Sequence, residues 1–81
     1  MQREKMIKTI NDFLIDEIEI EKNRIKPTAL LKKDLGIDSL DFVDVAVVIE
    51  KNFGLKIKGE EMTNVKTLQD FYDFIYHRIR G

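Results

Sequence analysis

Cysteine is absent from the 81 residues, which excludes both a disulfide framework and a thiolate metal site. A single histidine, His77, excludes a multi-histidine metal site, and the favourable dipole at the end of a helix explains it adequately. Proline occurs once, at Pro27. No apolar run reaches the length of a membrane span. Met1-Gln2-Arg3-Glu4-Lys5 leads straight into an amphipathic pattern with no signal-peptide core behind it, so a cytoplasmic protein is expected. What is present, 43% hydrophobic and 36% charged residues, describes a folded domain rather than a disordered tail. A chain this short is expected to form one domain, residues 1–81, with a modest core.

The net charge of −1 hides an uneven distribution. Residues 34–50 carry Asp34, Asp38, Asp41, Asp44 and Glu50 and no Lys or Arg. An acidic patch of this kind favours basic partners and argues against nucleic acid, whose phosphates it would repel.

Apolar periodicity predicts helices and nothing alternates as strands. Met6, Ile7, Ile10, Phe13, Leu14 and Ile18 recur at helical spacing, which predicts a first helix over 3–18. Residues 19–38 break that pattern. They form a long loop, pinned by Ile20, Ile25, Leu30, Leu31, Leu35 and Ile37, with a helical turn expected near 28–33. Loops of such length tend to be functional. A second helix is predicted from after Asp38 to Phe53, stopped by Gly54. Leu55 and Ile57 fall in a short extended piece, and Gly59-Glu60-Glu61-Met62 predicts one short helix. The last helix is predicted from Thr67, as N-cap, to Ile79, with Leu68, Phe71, Tyr72, Ile75 and Ile79 on one face. Phe71, Tyr72, Phe74 and Tyr76 are read as core packing rather than an aromatic box. The expected fold is all-α, a small four-helix bundle of three long helices and one short, with a long loop between helices one and two.

On a helical wheel, residues 39–53 show two apolar stripes. Phe42, Val45, Ala46, Ile49 and Phe53 share the side that should face the bundle. Leu40, Val43 and Val47 form a second stripe, with Asp41, Asp44 and Lys51 on the polar arc beside it. An apolar stripe edged with carboxylates is either a docking surface or a second buried face of a central helix.

Ser39 stands at the junction of loop and helix, where it or Asp38 is a good N-cap. No general base, metal set, phosphate loop or G-x-S-x-G elbow accompanies it, so catalysis by this serine is not expected. The four aspartates lack the central glycine and terminal glutamate of an EF-hand loop.

Asp34-Leu35-Gly36-Ile37-Asp38-Ser39-Leu40-Asp41 resembles the signature of acyl carrier proteins. Phe42 to Phe53 followed by Gly54-Leu55-Lys56-Ile57 is similar to that family's second helix and its ending. Glu60-Glu61-Met62 and Val65 to Ile75 resemble its short third helix and the start of its fourth. The resemblance spans nearly the whole chain, in order. It implies that Ser39 receives a 4′-phosphopantetheine arm from coenzyme A and holds acyl groups as thioesters, without catalysis by the chain itself. The partners it implies are a phosphopantetheinyl transferase and acyl-transferring, condensing and reducing enzymes of fatty acid or related lipid and polyketide synthesis. It also implies that Asp38, Leu40, Asp41, Val43, Asp44 and Val47 meet their basic, apolar patches. A monomer is expected.

Physical chemistry suits that placement. A helix N-terminus favours a phosphodiester, and Asp38 and Asp41 should keep the arm's phosphate from collapsing onto the protein. Bulky Phe42 is expected to narrow the space open to a sequestered acyl chain. Two departures stand out: Glu50-Lys51-Asn52 replaces a frequent run of glutamates, and Lys56 and Lys58 stand where members of the family tend to be acidic. They bear on partner identity more than on carriage. The competing reading is an unmodified helical interaction module whose acidic patch binds a basic partner.

Overall fold

The computed structural model describes residues 2–62 and 64–80, except for the side chains of Ser39 and Arg80. Its described residues hold three α-helices: α1 (Arg3–Asp16), α2 (Ser39–Phe53) and α3 (Leu68–Arg80), with 3-10 turns at Lys22–Arg24 and Gly59–Met62. The short helix expected over 59–62 is therefore a four-residue 3-10 segment, a length at which the tighter turn is common. No strand occurs among the described residues; Leu30 and Thr67 form an isolated β-bridge.

In α1 the buried positions Met6, Ile10, Phe13 and Leu14 keep the spacing of one helical face. The helix stops two residues short of the predicted Ile18. The Phe13 carbonyl accepts from the Glu17 and Ile18 N–H groups (2.8 and 3.2 Å), and Glu19 then turns left-handed at φ 64°. That turn drives Ile20 into the core, where its N–H donates to the Leu14 carbonyl at 3.0 Å.

The loop from 17 to 38 is laced to α3 rather than loose. The Leu31 N–H donates to Lys66 O (2.9 Å), and the Leu68 and Gln69 N–H groups donate to Ala29 O and Pro27 O (2.9 Å each). Ile20, Ala29, Leu31, Leu35 and Ile37 are buried along it. Leu30, expected to be an anchor, faces outward because neighbouring residues in extended chain point to opposite sides. The turn over 31–34 closes on Asp34, whose Oδ2 accepts from the Leu30 N–H at 2.8 Å.

α3 begins in a reciprocal cap. Thr67 Oγ1 accepts from the Asp70 N–H at 3.1 Å, and Asp70 Oδ2 accepts from the Thr67 N–H at 3.2 Å. Leu68, Phe71, Tyr72 and Ile75 are buried from it, and the Tyr72 hydroxyl donates to Asn11 Oδ1 of α1. Arg3 joins α1 to α3 through Asp73 (2.5 Å) and lies 5.4 Å from the Tyr76 ring centre. Met6, Ile10, Leu14, Ile49, Leu68 and Ile75 are the large residues withdrawn entirely from water. Each such burial stabilises the fold by about 1.5–3 kcal/mol, so the core lies where the three helices meet.

Candidate functional site

The loop enters α2 through Gly36, whose left-handed φ of 67° would strain any other residue. Ile37 follows, buried, with its N–H on the Leu31 carbonyl at 2.8 Å. Asp38 is the N-cap: one carboxylate oxygen accepts from the Leu40 and Asp41 N–H groups at 3.0 and 2.9 Å. Asp41 reaches back to the Asp38 N–H at 3.5 Å and completes the capping box. Ser39 is thus the first helical residue and not the cap; its side chain lies outside the described residues.

The capping box corrects one expectation. Two of the N–H groups at this helix end are already satisfied by Asp38, so the terminus is no open anion cradle.

Along α2 the two stripes are separated as the wheel placed them. Leu40, Val43 and Val47 are 78%, 61% and 50% exposed, so the stripe is open surface and not a second buried face. Asp38 and Asp44 are exposed beside it, and Asp41 is partly so. On the other side Val45 and Ile49 are buried, while Phe42, Ala46 and Phe53 are half-buried. Val48, which the wheel left unassigned, packs against the core as well. Asp34 is engaged at Leu30, and Asp38 and Asp41 at the α2 cap. Among the described residues no group of three acidic or histidine side chains is placed to hold a metal ion.

Beside the α2 face runs a groove of about 990 Å³, absent from the sequence reading. Its apolar floor includes Leu31, Ile37, Phe42, Val43, Ala46, Val47, Ile57, Met62 and Val65. Lys32, Lys33, Lys56, Lys58 and Lys66 also line it, against Asp38 and Glu50. Phe42 lines both this groove and a void of about 10 Å³ deeper among the helices, so it stands between groove and core. Lys56 and Lys58, noticed in the sequence only as departures, are brought to the same place as Lys32, Lys33 and Lys66.

The α2 start thus joins a serine after a capping aspartate to an exposed acidic and apolar stripe and an apolar groove. Residues 8–75 match the family model described as the phosphopantetheine attachment site. The chain is 30% identical over 79 residues to an acyl carrier protein of Thermosynechococcus vestitus, covering 98% of each chain. It is 36% identical over 75 residues to an acyl carrier protein of Coprothermobacter proteolyticus, covering 93% of this chain and 92% of that one. It is also 36% identical over 70 residues to one of Phytoplasma mali, covering 86% and 83%. The chain belongs to the acyl carrier protein family. It is a carrier protein whose cofactor is covalently bound 4′-phosphopantetheine, and membership implies dealings with a phosphopantetheinyl transferase and biosynthetic enzymes. The α2 start has room for that group: Asp38 occupies the cap, and Asp38 and Leu40 on either side of residue 39 are exposed. No helix among the described residues is long and apolar enough to cross a membrane.

Proposed function

We propose that Ser39 is the residue that carries the 4′-phosphopantetheine arm, and that the chain works as one carrier unit, monomeric and without catalysis of its own. Its task is to shuttle acyl intermediates between enzymes of fatty acid, related lipid or polyketide synthesis. The observation that carries this reading is the α2 start, where Asp38 supplies the cap and leaves the first helical residue to another role. The bound arm supplies the thiol on which the acyl group rides as a thioester. The protein's residues position and present it. Asp38 and Asp41 hold the phosphate end away from the surface, and the groove beside Val43 offers the acyl chain an apolar seat. Phe42 closes that seat against the core, so the chain lies along α2 instead of burrowing between the helices.

Leu40, Val43 and Val47 supply apolar contact for partner enzymes, and Asp38, Asp41 and Asp44 steer their basic patches into register. The Gly59–Met62 turn is, on this reading, the counterpart of the family's short third helix. The test is intact mass after incubation with coenzyme A, magnesium and a broad-specificity phosphopantetheinyl transferase. One added phosphopantetheine on the natural chain and none on Ser39→Ala supports the assignment. Equal modification of the variant places the arm elsewhere, and no gain on either chain refutes the reading.

A further inference from the structure

We propose that the cargo of the groove is an acyl chain bearing a second acid group: a carboxylate beyond its thioester, answered by the lysine rim. This rests on the reading of Ser39 as the attachment point. Lys32, Lys33, Lys56, Lys58 and Lys66 line the groove, while its acidic lining is Asp38 and Glu50, so five positive and two negative charges leave three positive. The whole chain, by contrast, is −1. Charge is therefore uneven: α2 and its cap carry Asp38, Asp41, Asp44 and Glu50, while the lysines of the neighbouring segments leave the groove beside it net positive.

That charge is not neutralised by ion pairing among the described residues. Arg3, Arg24 and Arg78 each pair with a carboxylate, whereas none of the five lysines forms an ion pair among the described residues. A methyl-ended acyl chain would use the floor and leave the rim unanswered. An acid-bearing chain uses both, its methylenes on the floor and its carboxylate held by charge-assisted hydrogen bonds at the edge. The site's concavity, at about 990 Å³, also suits a small molecule better than the convex face of a protein.

The test loads the chain at Ser39 with either decanoyl or its ω-carboxy counterpart carrying a 13C label at the terminal carboxyl. Intact mass first confirms loading. The carboxyl is then titrated by NMR on the protein and on the free pantetheine thioester. Opposite charge favours the ionised form, so its pKa should fall by about half a unit on the protein, a roughly threefold loss of proton affinity. Lys56→Gln/Lys58→Gln should return most of the shift and leave the amide shifts of the decanoyl form unchanged. Should that variant fold poorly, added salt on the natural chain gives the same answer, since screening must abolish the shift. A carboxyl that titrates alike on the protein and free, or a shift indifferent to both lysines and salt, overturns the proposal and leaves the lysine stems as mere cover for apolar surface. A natural chain that accepts no arm brings down the Ser39 reading, and this inference with it, a failure told apart by the mass step.

Discussion

Glu19 is the described non-glycine residue with a positive φ, 64°, and it sits where α1 hands over to the loop. A left-handed backbone costs an ordinary residue about 1–2 kcal/mol and costs glycine nearly nothing. Glycine gives back about 0.4–1 kcal/mol through the greater freedom of the unfolded chain. Glu19→Gly should therefore stabilise the protein by about 0.5–1 kcal/mol, which raises the melting temperature by roughly 2–8 °C in a domain of this size. The side chain is exposed and makes no hydrogen bond or ion pair among the described residues, so nothing is lost with it. Two controls separate backbone from side chain. Glu19→Ala removes the carboxylate but keeps the steric conflict and should be close to neutral; Glu19→Val, β-branched, should lose more than about 1 kcal/mol. Urea unfolding followed by far-ultraviolet circular dichroism reads all three. A glycine variant no more stable than the alanine one would refute the reasoning.

Other consequences are equally direct. Val43→Asp and Val47→Asp alter exposed positions, so urea midpoints should move by the equivalent of about 0.5 kcal/mol or less, while the rate of modification by the transferase drops roughly tenfold, the effect of about 1.4 kcal/mol of lost docking energy; an unchanged rate would remove the stripe from the docking surface. Phe42→Ala should cost about 2 kcal/mol, at the low end for a phenylalanine because the ring is half-buried, and should let a decanoyl cargo shift amide signals of Leu14 and Phe71, which line the void behind the ring; core signals that stay put would show that Phe42 is no barrier. The Asp70 carboxyl is held below its ordinary value, chiefly by the Thr67 N–H and then by the Thr67 hydroxyl and the Lys66 N–H. Because the folded pKa lies below the unfolded one, its stabilisation is present above about pH 4 and is lost as pH falls through the folded value; Asp70→Asn should flatten that acid limb in urea midpoints measured from pH 6 downward, and parallel curves would deny Asp70 the role.

The parts of this molecule that show in its sequence are those whose causes are local. Asp38 and Gly54 bracket α2, Thr67 opens α3, and the spacing of Leu40, Val43 and Val47 marks the outer stripe. What the sequence hid depends on distant partners. The apolar spacing carries the expected first helix on to Ile18, past the end of α1 at Asp16, because no glycine marks the left-handed turn that Glu19 makes. Leu30 looked like an anchor because its bridge to Thr67, which sets the direction of its side chain, lies far along the chain. Val48 joined the core because other segments cover a wider arc of α2 than one buried stripe requires. The groove draws on residues 30–33, 37, 38, 56–58, 62, 65 and 66 and on Phe42, Val43, Ala46, Val47 and Glu50 of α2, and no pattern within any one segment announces it. A count of lysines flanking the acidic run would have been the nearest signal. The short helix at 59–62 tightened to a 3-10 turn, a choice four residues do not encode.

The most direct test of the account is the state of the chain isolated from the cells that make it. Its intact mass should include one phosphopantetheine, part of the population should carry an acyl group as well, and neutral hydroxylamine should cleave that thioester, taking the acyl group off as its hydroxamate and leaving the arm in place with a free thiol. A chain recovered wholly unmodified, or an acyl group that resists hydroxylamine, would contradict carriage of acyl thioesters through Ser39.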